Sequence, residues 1–362
     1  MLMKKYIHGF NLIEGMTWER MAKIAGYFSG DFEKAWLNGM QKDFERIGLD
    51  FELLENTRRK YDLEKSQEKL WENDIETICE TDQEYPFEFK QLSRKPFLIY
   101  RKGAPLNSLG RKVAVVGMRK ATLAGEKLAF QLGKALAGRG LAVISGLAFG
   151  IDAAAHNGVV QIKGQTVGVL ASGIGKITPT SHNTLAEQIL ANGGSIISEY
   201  PMTSEAMKYK FIDRNRLIAA LAGTVIIVEA AKRSGALITA RHALEQNKDI
   251  LVFPGDPGKV QAEGCNNLIK KGEGQLVNSI GDVMQFLQDE GVLGSDSVVL
   301  TDEQLNQMDR AILNLIREGV GETESLLEEL PVEMGELLAS LSNMEIAGLI
   351  TRGNLLNWVP VN

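Results

Sequence analysis

VAVVGMRKAT, residues 113–122, decides the fold. A run of valine and alanine ends at Gly117, and a helix-like run, AGEKLAFQLGKALAGRG from Ala124, follows almost at once. The unit then recurs down the chain. LAVIS from Leu141, TVGVLAS from Thr166, SIIS from Ser195, TVIIVEA from Thr224 and DILVFPG from Asp249 read as further strands. IDAAAHNGVVQIKG, HNTLAEQILANGG, RLIAALAG and ALITARHALEQN read as the helices between them. Near-continuous valine and isoleucine runs mark strands covered on both faces. Residues 96–290 are therefore expected to form an α/β, extended Rossmann-like, doubly wound parallel sheet with right-handed crossovers. In such a sheet ligands sit beyond the carboxyl ends of the strands.

The turns at those ends suit an anion. Gly117-Met118-Arg119-Lys120 sets two cations where a helix begins, and the first amides of a helix have no partner within it. Arg119 can grip a phosphate bidentately, although many such sheets turn at a glycine and bind nothing there. ISGLAFGIDAAAH from Ile144 carries Gly146 and Gly150 but lacks the GxGxxG spacing of a dinucleotide site. Asp152 fits a helix cap as well as a ligand contact. KYKFIDRNR gathers Lys208, Lys210, Arg214 and Arg216 around Tyr209 and Phe211. Such a cluster can stack a base and track a backbone; it can equally be a charged loop with Phe211 buried. Arg233-Ser234-Gly235 opens another helix at the same edge. Asn266, Asn267 and Lys270 are candidates to close the groove.

At 362 residues, 44% hydrophobic and 24% charged, the chain has the make-up of a soluble globular protein of two or three domains. No apolar run reaches the roughly 18 residues of a membrane span. The start, MLMKKYIHGFNLIEGM, is too charged and glycine-broken for a signal peptide. Cys79 and Cys265 lie far apart with no metal-ligand spacing. The expectation is a cytoplasmic, zinc-free protein without a cofactor. A net charge of −6 argues against nucleic acid, but its distribution reverses the argument. Residues 101–300 hold 22 Lys+Arg against 16 Asp+Glu, whereas residues 1–100 hold 15 against 19 and residues 301–362 hold 3 against 11. A basic middle between acidic ends fits polyanion binding confined to the middle, though charges dispersed over solvated faces give the same count.

The flanks read as helical. In residues 1–95, WERMAKIAGYF, DFEKAWLNGMQKDFERIG and FELLENTRRKYDLEKSQEKLWEN space apolar residues by three and four. This is a helical domain of SAM or helix–hairpin–helix-like type, although Glu14-Gly15-Met16 is a poor Gly-x-Gly hairpin, so packing is favoured over DNA contact. After a linker at 291–304, residues 305–362 read as helix, short helix, longer helix and a hairpin turning at Gly353-Asn354, a winged-helix-like outline. The third helix carries Glu333, Glu336 and Glu345 and no cation. It is expected to repel DNA and to contact protein instead. Groups for catalysis are sparse. His156, His182 and His242 fall in predicted helices, and Glu199 and Glu229 follow strands without a paired acid. The chain is not expected to be an enzyme.

Together these blocks resemble the DprA (Smf) family of DNA-processing proteins. YPFEFKQLSRKPFLIYRKG, VAVVGMRK, ISGLAFGIDAAAH, FIDRNRLIAAL, VIIVEAAKRSGALITARHALEQ, VFPGDP and GCNNLIKKG occur in order, so the resemblance spans nearly the whole chain. It implies a homodimer that binds single-stranded DNA and loads the RecA recombinase in natural transformation or recombination. It also implies that Arg119 and Lys208 hold phosphates, that Phe211 stacks on a base, and that Arg214 and Arg216 line the groove. Three positions depart from the family pattern: Met118 replaces a usual serine, Phe149 a frequent arginine, and Thr178 a tyrosine before proline. The alternative is a Rossmann-like nucleotide-binding or nucleotide-hydrolysing enzyme of the phosphoribohydrolase type. Those carry a PGGxGT loop where this chain reads Glu229-Ala230-Ala231-Lys232-Arg233-Ser234-Gly235-Ala236. A transcription regulator acting through the tail is disfavoured by the acidic charge there.

Overall fold

The computed structural model describes residues 2–293, 307–346, 350–352 and 357–360. Helices come first: α1 (Leu2–Asn11), α2 (Trp18–Tyr27), α3 (Phe32–Asn38), α4 (Gln41–Arg46), α5 (Phe51–Lys60) and α6 (Leu63–Glu72). Thr17, Asp31, Asp50 and Asp62 each cap the helix that follows by accepting a backbone N–H, a contribution of about 1 kcal/mol apiece. Two of the long helices expected here are broken. One stops at Gly39, where a Cβ would meet the Ala35 carbonyl oxygen at 2.5 Å. The other stops at Tyr61, because Asp62 accepts from Glu64 and Lys65 and starts a new helix.

Strands and helices then alternate. They are β1 (Glu76–Ile78), α7 (Phe87–Lys90), β2 (Ile99–Gly103), β3 (Lys112–Val116), α8 (Leu123–Gly138), β4 (Ala142–Ser145), α9 (Ile151–Gln161) and β5 (Thr166–Leu170). Next come α10 (Asn183–Ala191), β6 (Ser195–Ser198), α11 (Lys208–Leu221), β7 (Thr224–Ile227), α12 (Gly235–Glu245), β8 (Asp249–Val252), α13 (Glu263–Lys270), β9 (Gln275–Leu276) and α14 (Ile280–Asp289). The strands form one sheet in the order β1-β2-β6-β5-β4-β3-β7-β8-β9. From β6 to β9 every pairing is parallel. At the other edge β2 runs antiparallel to both β6 and β1, so the sheet is mixed rather than wholly parallel. The helical character expected of residues 1–95 is amended in the same place, since β1 belongs to the sheet.

Both faces are covered. Val113 and Val115 pack with Leu132, Leu136 and Val159, while Ala114 and Val116 pack with Leu217 and Ile218. That is the two-residue alternation of a strand buried on both sides. The N-terminal helices rest on one edge, where Phe10, Trp36 and Phe44 share a cluster with Leu98, Tyr100, Leu170 and Ile196. The chain builds outward from β3 to β6, returns, and builds the other way through β7 and β8. The order therefore reverses between β3 and β7, which pair from Val113↔Thr224 to Val116↔Ile227. Loops leaving those strands diverge and open a crevice.

Beyond residue 306 lie α15 (Gln307–Arg317), α16 (Thr323–Glu329), α17 (Met334–Ile346) and the antiparallel pair β10 (Ile350–Arg352) and β11 (Trp358–Pro360). Ile312, Leu313, Leu326, Leu341 and Trp358 make a separate small core. The expected turn at Gly353-Asn354 and most of the 291–304 segment lie outside the described residues. Among those described, no helix is long and apolar enough to cross a membrane.

Candidate nucleic-acid interface

A cleft of about 450 Å³ opens at the reversal of strand order. The loop after β3 supplies Gly117, Met118, Arg119 and Lys120, α11 supplies Phe211, and the approach to α12 supplies Arg233, Ser234 and Gly235. The Arg119 guanidinium carbon stands 4.0 Å from the centroid of the Phe211 ring. That distance is a cation–π stack. It holds the guanidinium by its face and leaves the N–H donors in its plane for an anion. Arg119, Lys120 and Arg233 are all exposed, as is Lys208 at the start of α11, which does not line the cleft, and none of the four makes an ion pair among the described residues. The carboxylate lining the cleft, Asp152, is buried, and burial raises its pKa against the pull of Arg214. The accessible charge of the cleft is positive.

The Arg119 loop is tied down from two sides. Met118 donates its amide to the Glu229 carbonyl at 2.9 Å, and the Glu229 carboxylate accepts from both the amide and the hydroxyl of Thr122. Thr122 in turn caps α8. From the other side Gly150, at φ +73°, comes so close that a Cβ would lie 2.4 Å from the Met118 carbonyl oxygen. A larger residue would push the loop away. The β4 loop is pinned by His182, whose Nδ1 bonds the Leu147 carbonyl at 2.9 Å. Phe149, half-exposed, packs edge-on against the same imidazole.

Several residues expected in the groove lie elsewhere. KYKFIDRNR is not a loop but the first turns of α11, and about 100° of rotation per residue sends its cations in different directions. Arg214, by contrast, does line the cleft beneath Phe211, but it is buried and donates to the Gly146 and Val169 carbonyls. Burial lowers its pKa to about 10, with Asp152 resisting the fall. Arg216 is buried too, with both Glu199 oxygens 2.7 Å from Nη2. Lys210 bonds the Ser204 hydroxyl and the Glu205 carbonyl and sits over the Tyr200 ring, away from the cleft. Asn266 forms a closed pair of bonds with the Gly255 backbone. Gly117 and Gly146 are packing positions, a Cβ there meeting Ile151 or the Arg214 and Asp152 side chains. Asp152 lies inside α9, whose N-cap is Gly150, and its carboxylate accepts from the Gly146 amide.

With this geometry in hand, comparison with known proteins is specific. Residues 76–288 match the family model for DNA recombination-mediator protein A. The Smf protein of Synechocystis is 31% identical over 324 residues, which cover 80% of each chain. The chain belongs to the DNA recombination-mediator protein A (DprA) family. Among solved structures it is similar to DprA from Streptococcus pneumoniae, with a TM-score of 0.63 and 28% identity over 78% of this chain and 97% of that one. It is also similar to DprA from Helicobacter pylori, a protein described for its single-stranded DNA binding mode. There the TM-score is 0.54, with 29% identity over 60% of this chain and 96% of that one.

Two residues of this DprA-family chain that the sequence gives no binding role shape the cleft. Glu229 was weighed as a catalytic acid and serves as the clamp of the Arg119 loop. His182, in a predicted helix, holds the neighbouring loop. A signal for Glu229 did exist, since Thr122 stands three residues before Gly125, where a Cβ would meet the Glu229 carboxylate at 2.4 Å. The Thr122–Glu229 contact spans 107 positions of sequence and becomes visible once β3 and β7 are known to pair.

Proposed function

We propose that the cleft binds single-stranded DNA without sequence readout, and that the protein acts as a non-catalytic mediator that delivers the strand to a RecA-type recombinase. The observation that carries this reading is the exposed Arg119–Phe211 stack at the reversal of strand order, flanked by unpaired Lys120 and Arg233. A guanidinium on an aromatic face offers an in-plane donor edge to a phosphate and a flat surface to a base. The family's role as a recombination mediator and the single-strand binding of the Helicobacter pylori relative support it. Met118, where relatives usually carry serine, lines the cleft without a hydroxyl, so more of the phosphate grip falls to Arg119.

Non-catalytic action is supported by the state of the candidate acids and bases. Glu229 is engaged by Thr122, and Glu199 by Arg216. His156 is buried, with its pKa lowered to about 3. On this reading the sheet is the extended Rossmann-like DNA-binding unit of a cytoplasmic homodimer. The C-terminal helices and hairpin form a winged-helix-like unit that contacts protein. Fluorescence anisotropy of labelled oligo-dT, with duplex as competitor, tests the proposal. Single-strand preference is expected, and Arg119→Ala should weaken it about tenfold, roughly the worth of one charge-assisted contact. Absent binding, or binding indifferent to Arg119, together with base release from nucleoside monophosphates, would install the hydrolase alternative.

A further inference from the structure

A second and larger cavity, of about 690 Å³, lies across α11 from the cleft, between the N-terminal helices and the segment joining β6 to α11. We infer that it is a nucleobase pocket, taking either a base of the same bound strand or a free nucleotide. This inference rests on the single-strand reading above and extends it.

Three observations select that ligand class. First, the lining is aromatic: Trp18, Tyr200 and Tyr209 all face the cavity, and Tyr209 is 38% exposed although it is large and partly apolar. Flat side chains around an open space suit a flat ligand. Second, the charges are balanced in neighbouring pairs rather than massed in one sign. Arg216 is held by Glu199, and Arg94 by Glu19 with a longer 3.5 Å contact to Asp213. A phosphate alone would want a net positive lining, whereas a base edge presents donors and acceptors side by side. Third, the polar valences are incomplete. Arg216, with a side chain 6% exposed, spends Nη2 on both Glu199 oxygens and leaves Nε and Nη1 without an acceptor. The Arg94 Nε is also buried without a partner. Buried donors left unmade are costly, and a guanidinium that turns toward a polar ligand edge relieves that cost.

The placement links the two sites. One helix walls both, sending Phe211 and Asn215 into the cleft and Tyr209, Lys210, Asp213 and Arg216 into the cavity.

Isothermal titration calorimetry on the full chain tests the pocket, with each of the four deoxynucleoside monophosphates and with deoxyribose 5-phosphate as the baseless control. At least one nucleotide is expected to bind and the control not. Tyr209→Ala should weaken that binding at least tenfold, Tyr209→Phe should largely restore it, and Arg119→Ala should leave it unchanged. The source is separated by moving a single abasic site along a bound oligonucleotide. If the base comes from the strand, one position loses affinity in the wild type and not in Tyr209→Ala. If the ligand is a free nucleotide, the abasic scan is flat while the calorimetric signal persists. No binding of any monophosphate combined with a flat scan overturns the pocket. So does a nucleotide signal that Arg119→Ala abolishes, since one cleft would then do everything. Neither result touches the single-strand reading, which fails only if oligonucleotide binding itself is absent or blind to Arg119.

Discussion

At the mouth of the cleft, Arg119, Lys120 and Arg233 stand exposed and, among the described residues, without an ion pair; across α11, Arg94, Lys210 and Arg216 are all engaged by protein groups. The residue types are the same and the local sequence is equally basic. What differs is whether folding has already supplied the partner. A cation satisfied inside the chain contributes to holding elements together, because taking it apart strands a charge in a poor solvent. A cation left in water contributes little to stability and keeps its charge for a ligand. Lys210 and Arg119 therefore belong to different problems, although both looked like parts of one groove.

The largest expected effect attacks the engaged side. Arg216→Ala should destabilise the fold by about 3–5 kcal/mol, because Glu199 would be left nearly buried and unpaired. The measurement is a urea titration. Replacing both partners by Arg216→Met with Glu199→Gln should recover much of the loss. A midpoint unchanged by Arg216→Ala would mean that the pair does no structural work and that the two sides of α11 are alike.

Acid separates the buried interior from the open cleft by another route. His8 and His156 are held neutral by burial, with pKa values lowered to about 4 and about 3. The Thr166 hydroxyl gives its proton to the Val143 carbonyl, so His156 Nδ1 donates to Thr166 and its buried Nε2 is left without a donor. Both folded values lie below the unfolded value near 6.5, so the unfolded chain binds protons first as pH falls. Stability should be intact above about pH 6.5. It should then fall by roughly 1.4 kcal/mol per pH unit for each histidine down to about pH 4. His8→Gln should remove about half of that slope. Guanidinium groups do not lose their proton in this range, so weak DNA binding at pH 5 by protein that remains folded would break the distinction.

Phe211→Ala comes next and falls on the open side. Loss of the ring removes the support of Arg119 and a stacking face, worth roughly 1–3 kcal/mol of single-strand affinity. Thermal stability should barely move by comparison, since Phe211 is only partly buried. A large stability loss with unchanged affinity would place Phe211 in the core instead.

The alternation of strands, the two-sided burial of Val113–Val116 and the position of the turns were legible in the sequence because each depends on local periodicity and on glycine. The antiparallel edge was not, since Glu76–Ile78 is three residues long and too short to show a period. The site was legible by halves. Arg119 was found because it follows a strand-ending glycine. Arg216 and Lys210 fall outside the cleft because KYKFIDRNR, rich in charge, reads as a loop while its apolar continuation, LIAAL, draws it into one helix with a 3.6-residue period. Charge density identified the right helix, and only the helical rotation could say which cations it left outside.

The smallest effect is the sharpest test of that rotation, because it sets two lysines two positions apart against each other. Lys208 is exposed and unpaired at the start of α11, whereas Lys210 is buried and bonded to Ser204 and Glu205. Each phosphate neutralised on a single strand contributes about 0.7 to the slope of log K against log salt. Lys208→Ala should therefore lower the magnitude of that slope by about 0.7 and leave the urea midpoint where it is. Lys210→Ala should leave the slope alone and lower the midpoint, because it leaves the Ser204 and Glu205 acceptors without their donor. Equal changes in slope from both would mean that the strand wraps the start of α11 on both sides, and the division between satisfied and available cations would have to be redrawn one turn further along the helix.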